Sequence, residues 1–252
     1  LTRHTHTIYT GHKNILINLL NAYKRKCSSS SSSLLNIADS NGNTAVHWSV
    51  ANGHLKIVKW LVSKGASPWL KNKRGRCAFM TALSSSSTSS PRQCNQIEMI
   101  KYLHRLSKAS GKDPISDVDM SGYTNLHICS WHGTIEAANY VLSVYGSNTA
   151  RRRALLRADR KGHLAPHIAA ARGHIDILKE MRKLSIDLIE LRDSNGCTPW
   201  LFAAQRGQIK TLRWLWSCCK NDTKSRCRLL LSKDRWDQNA LHLAAMHDCP
   251  RV

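Results

Sequence analysis

Polar and apolar positions along this chain group into a unit that is clearest from Asp39 to Ala66. Asp39-Ser40-Asn41-Gly42 is a polar turn signal, with Gly42 free to take φ > 0. Small and apolar residues from Ala45 to Ala51 suit a short helix packed on a neighbour, and Gly53 is placed to end it. Leu55, Val58, Leu61 and Val62 then recur at helical spacing, and Gly65 closes this second, amphipathic helix. The pattern predicts turn, helix, turn, helix in about thirty-three residues.

The same order returns along the chain. A weaker unit starts near Asn72, where Gly75 holds the turn. Its second helix is expected to resume at Ile97, after a serine-rich interruption from Ser84 to Pro91. Further units open at Asp119, Asp159, Asp193 and Asp234, the last with Asp237 where Gly is expected. Residues 1–26 hold a partial unit, with Ile15, Leu16, Leu19 and Leu20 on one helical face. Two stretches read as connections between units: a basic one carrying Arg151, Arg152 and Arg153, and a long one from Cys218 to Lys233.

Each unit places a short box after its turn. The boxes are Thr44-Ala45-Val46-His47, Cys77-Ala78-Phe79-Met80, Thr124-Asn125-Leu126-His127, Leu164-Ala165-Pro166-His167, Thr198-Pro199-Trp200-Leu201 and Ala240-Leu241-His242. With the period, they resemble the ankyrin repeat and its Thr-Pro-Leu-His signature. The resemblance implies an all-α ankyrin-repeat solenoid of about six to seven helix-turn-helix units with short β-turn fingers, running as a single array over 1–252. Serine-rich stretches near 27–34 and 84–95 read as flexible inserts, since they offer little side chain to bury. Pro166 should make its helix begin slightly late. Leu1 in place of an initiating Met marks the chain as part of a longer one.

Composition changes this picture in two ways. The formal net charge is +22, which implies attraction to acidic proteins, anionic lipid or nucleic acid and is silent on fold. The nine cysteines are an odd number, and Cys129 falls where the repeat needs a small buried residue. That usage fits free thiols in a cytoplasmic or nuclear protein better than a disulfide framework. No apolar run approaches the roughly 20 residues of a membrane span.

Chemistry-bearing motifs are scarce. There is no phosphate-binding glycine loop, nucleophile elbow or HExxH. Cys218, Cys219 and Cys227 with His242 and His247 have no zinc-site spacing. The box histidines His47, His127, His167 and His242 recur once per unit, which marks them as structural. The reading is therefore a protein that is not an enzyme and needs no cofactor or metal.

Family resemblance puts the contact surface on the turn tips and the ends of the first helices. The weak second unit presents Lys73, Arg74 and Arg76 there. Later units present Tyr123 and Trp131, then Arg160, Lys161, His163 and Arg172, then Arg206, and finally Arg235 and Trp236. These are basic and aromatic, the types that dominate interface hot spots. The expected partner is a protein with an acidic segment, and no small-molecule substrate. Nucleic acid or anionic lipid is the rival polyanion. Trp60-Leu61 and Trp214-Leu215 also resemble the ankyrin part of espin-type actin-bundling proteins, which would imply a cytoskeletal adaptor.

Overall fold

The computed structural model describes residue 18 and residues 34–84, 93–219 and 222–246. The partial unit expected over 1–26 lies outside these residues, apart from Asn18, which is helical and exposed. The serine-rich stretches lie outside them too, except at their edges. Contacts gather in two compact units, 1–120 and 121–252. The described residues are helical, joined by turns, with no strand beyond an isolated bridge.

In the first unit, α1 (Ala45–Ala51) packs on α2 (Leu55–Ser63) and α3 (Ala78–Leu83), and both of these touch α4 (Gln93–Ala109). Ile57, Val58 and Leu61 of α2 are buried, as their spacing predicts. All but one residue of the six-residue α3 are buried, with Phe79, Met80 and Leu83 wholly so. Helix α4 begins at Gln93, four residues before the expected start at Ile97. Its first turn is tied to α3, because the buried Gln96 amide donates to the Ala82 carbonyl at 2.9 Å.

The second unit holds α5 (Asn125–His132), α6 (Ile135–Val144), α7 (Asn148–Leu155), α8 (Ala165–Arg172), α9 (Ile175–Lys183), α10 (Pro199–Gln205), α11 (Ile209–Cys218), α12 (Thr223–Leu230) and α13 (Ala240–Met246). Helices α5, α8, α10 and α13 stack in that order, each on the next. Behind them α6, α9 and α11 pack on α5, α8 and α10 respectively. The wholly buried Ala169, Ala170, Ala203 and Ala204 keep the front row thin enough for close helix approach.

Three sequence expectations need correction here. Both supposed connections contain helices, α7 and α12. Ser147 caps α7 by accepting from the Ala150 N–H at 3.2 Å, and Asp222 caps α12 by accepting from the Lys224 and Ser225 N–H groups. Each helix is anchored by one wholly buried leucine, Leu155 or Leu229. Helix α8 does not start late. Leu164 occupies its N-cap, and Pro166 lies in the first turn, where its missing N–H costs nothing.

Candidate protein-binding surface

Each finger is built by one side chain at its base. Asp159 Oδ1 accepts from the Lys161 and His163 N–H groups, both at 2.8 Å. Asp193 does the same for Asn195 and Cys197, and Asp234 for Trp236 and Gln238. Asn72 stands in for Asp in the first unit, accepting from Arg74 and Arg76. Asp237 occupies the missing Gly position with φ 61, which Asp tolerates better than most residues.

Successive fingers are joined main chain to main chain. In the first unit the Lys73 N–H donates to Asn41 O at 3.0 Å, and the Met120 N–H to Arg74 O at 2.9 Å. In the second, the Arg160 N–H donates to Ser121 O at 3.0 Å and the Arg235 N–H to Asn195 O at 2.9 Å. These bonds fix where the basic side chains emerge.

The box histidines brace the fingers from below. The Thr44 N–H and hydroxyl both reach His47 Nδ1, so His47 Nε2 carries the proton and donates to Arg76 O at 3.0 Å. His127 repeats this with Thr124 and His163 O. His167 donates to Cys197 O at 2.9 Å, but its Nδ1 is buried without a partner because Leu164 replaces the threonine. Burial pushes the His167 imidazole down to about 3. The ring is therefore neutral at physiological pH, as a one-sided structural post should be.

The predicted surface residues fall into distinct settings. Lys73 and Arg74 are exposed on their finger. Arg76 is turned inward instead, its Nε and Nη2 donating to the buried Asp119 carboxylate at 3.0 and 2.9 Å. Its charge is neutralised inside the first unit. In the second unit Arg160 and Lys161 are exposed at a finger tip, and Arg206 at the C-terminal end of α10.

Trp131, Arg172 and Tyr123 come together although 41 residues separate the first two. The Arg172 guanidinium lies 4.1 Å over the Trp131 ring, and its Nε donates to Trp131 O at 3.3 Å. The Tyr123 ring is 6.2 Å from that of Trp131. Arg235 stacks in the same way 4.2 Å over Trp236. Such cation–π pairs hold an arginine in place while leaving its charge available. Among the described residues, no ion pair takes Lys73, Arg74, Arg160, Lys161, Arg172, Arg206 or Arg235. On α9, by contrast, Lys179 and Lys183 are paired with Asp176 and Glu180.

Two supporting residues behave differently from what position alone suggests. His163 is drawn inward, 3.5 Å from Asp159 Oδ2 and 3.9 Å from Asp193 Oδ2. Desolvation raises the Asp193 carboxyl above its ordinary value. Arg192 Nη1 donates to both Gly196 O and Lys233 O, clamping the next finger, and no motif flagged it. Among the described residues, no cluster of three or more His, Cys, Asp or Glu could hold a metal ion. A cavity of about 280 Å³ lies behind the loop after α9, lined by Ile186, Leu188, Ile189 and Leu215 and edged by Arg182 and Cys218. Ser185 and Asp187 also line it, and burial pushes the Cys218 thiol up.

Family comparison agrees with the box and the period. Residues 3–72 match a family described as ankyrin repeats (3 copies), and residues 167–215 one described as ankyrin repeats (many copies). Among solved structures, the chain is similar to one in the complex of the predatory endopeptidase Bd0816 from Bdellovibrio bacteriovorus with immunity protein Bd3460. That likeness has a TM-score of 0.61 at 21% identity and covers 85% of this chain and 96% of the other. At that identity it speaks to the fold.

Proposed function

The chain belongs to the ankyrin-repeat family, and on that premise we propose that it is a non-catalytic interaction module that holds an acidic segment of a partner protein on its basic finger side. One observation carries this reading. Among the described residues, no ion pair takes the exposed cations Lys73, Arg74, Arg160, Lys161, Arg172, Arg206 and Arg235, whereas Asp159 and Asp193 bind the main-chain N–H groups of their own fingers. The surface thus offers charge that no ion pair among the described residues consumes. Arginines stacked on Trp131 and Trp236 add pre-organised forks for carboxylates. The similar solved chain comes from a complex of two proteins, which accords with a binding role.

We propose a cytoplasmic setting, since the nine cysteines are an odd number and that usage suits reduced thiols better than a disulfide framework. A cytoskeletal adaptor role is a special case of the same module. The rival polyanion reading is tested by titrating duplex DNA and anionic vesicles across a salt series. The interaction reading predicts weak binding that fades steeply with salt for both. Tight, sequence-indifferent binding to either at physiological salt would overturn it.

A further inference from the structure

We infer that Arg160, Tyr123, Trp131 and Arg172 form one recognition row for an extended peptide in which two carboxylates flank a flat apolar side chain. The inference rests on the interaction reading above and names the chemistry of the segment it would read. The row is ordered by contacts. Arg160 binds Ser121 O through its own N–H, and its Cγ lies so close to Gly122 that a Cβ there would stand 3.0 Å away. Tyr123 follows Gly122 directly, Trp131 is 6.2 Å from Tyr123, and Arg172 is 4.1 Å from Trp131. The sequence of groups is cation, aromatic, aromatic, cation.

Each end of the row suits a carboxylate. Arg172 has one face against Trp131 and its Nε committed to Trp131 O, which leaves the two Nη groups as an end-on fork. Arg160 is exposed and free of ion pairs among the described residues. The middle suits an apolar ring. Trp131 is 39% exposed, and Tyr123 is half-buried beside it with its ring stacked on His127. An extended chain rises about 3.3 Å per residue and alternates its side chains between two faces, so a row that reads one face takes the two acidic residues about four positions apart with the ring midway between them. A purely acidic segment would satisfy the arginines and leave the aromatic wall wet. An apolar segment would strand two cations. Only the mixed pattern uses the whole row.

The test is fluorescence anisotropy of the whole chain with a labelled twelve-residue peptide carrying Glu-Ser-Phe-Ser-Glu near its centre. The control peptide replaces Phe with Ser and keeps the charge. At about 150 mM salt, where loose charge attraction is screened, the Phe peptide should bind at least about tenfold more tightly than the control. Arg172→Lys keeps the charge but loses the fork and the stack, and should weaken the Phe peptide about tenfold. Tyr123→Ser should erase the preference for Phe. Circular dichroism and the unfolding midpoint report whether each variant is folded. Equal binding of the two peptides, wild-type affinity in Arg172→Lys, or no binding of the Phe peptide at millimolar concentration would overturn the inference. If charge reversal at Arg160 and Arg172 still abolishes capture of a natural partner while the peptides are indistinguishable, the interaction reading stands and the row falls.

Discussion

Acidification should destabilise this protein through His167, and the size of the effect follows from its surroundings. The ring is fully buried, its Nε2 donates to Cys197 O, and its Nδ1 has no partner to receive or share a proton. Burial takes its pKa from an ordinary 6.5 to about 3. Between those values the unfolded chain binds the proton and the folded chain does not, so protonation favours unfolding. Stability from this group is fully present above the unfolded value and is lost as pH falls toward the folded one. One pKa unit is about 1.36 kcal/mol, so moving from about pH 7.5 to pH 5 should cost about 2 kcal/mol at this single site. His47, His104 and His174 are also lowered, chiefly by burial, and add to the background in the same direction. The variant His167→Gln isolates the term, because its amide can still donate to Cys197 O but does not titrate. Urea unfolding of both proteins at the two pH values is the assay. The wild type should lose about 2 kcal/mol more than His167→Gln between them. Equal pH dependence would mean that His167 is not held neutral by burial, and the one-sided post would have to be abandoned.

Other outcomes follow from packing and local geometry. Leu126→Ala should cost roughly 2–5 kcal/mol in urea unfolding, since the side chain is 1% exposed. Lys71→Ala should stay within about half a kcal/mol, because its ion pair with Asp117 is exposed. Gly122→Ala should cost more than about 1 kcal/mol, as φ is 77° and the new Cβ would meet the Arg160 backbone nitrogen at 2.7 Å. Gly111→Ala, with nothing within 4 Å, should cost less in the same melts. Arg76→Ala removes the guanidinium from beside the buried Asp119 carboxylate, and should destabilise by roughly 3 kcal/mol in the same assay.

The fold was legible because the repeat encodes its turns in few residues. An Asp or Asn that binds its own main chain and a Gly three positions later place most units, even where the box lacks its histidine, as at Met80 and Leu201, or its threonine, as at Leu164. Helices α7 and α12 were not legible in the same way. Each buries one leucine, so neither shows an apolar stripe, and their arginines read as a solvated connection. The caps Ser147 and Asp222 were the available signals. Pro166 misled in register: a proline tolerated near a helix start suggests a start at the proline itself, whereas Ala165 already precedes it in the first turn. At the surface, periodicity identified which positions lie on the finger side. It could not show that Arg76 turns inward to Asp119, or that Arg172 lies over Trp131, because those pairings join residues from different repeats.

The most direct measurement of the central claim is a calorimetric titration of a captured partner against three forms of the chain. Arg160→Glu with Arg172→Glu reverses charge on the finger side of the second unit. Lys56→Glu with Lys179→Glu makes the same change in net charge on second helices, where Lys179 already has Asp176 as a neighbour. The account predicts strong loss of affinity for the first pair, near-wild-type affinity for the second, and unchanged unfolding midpoints for both. Equal losses from the two pairs would show that net charge alone drives binding and would contradict a located site.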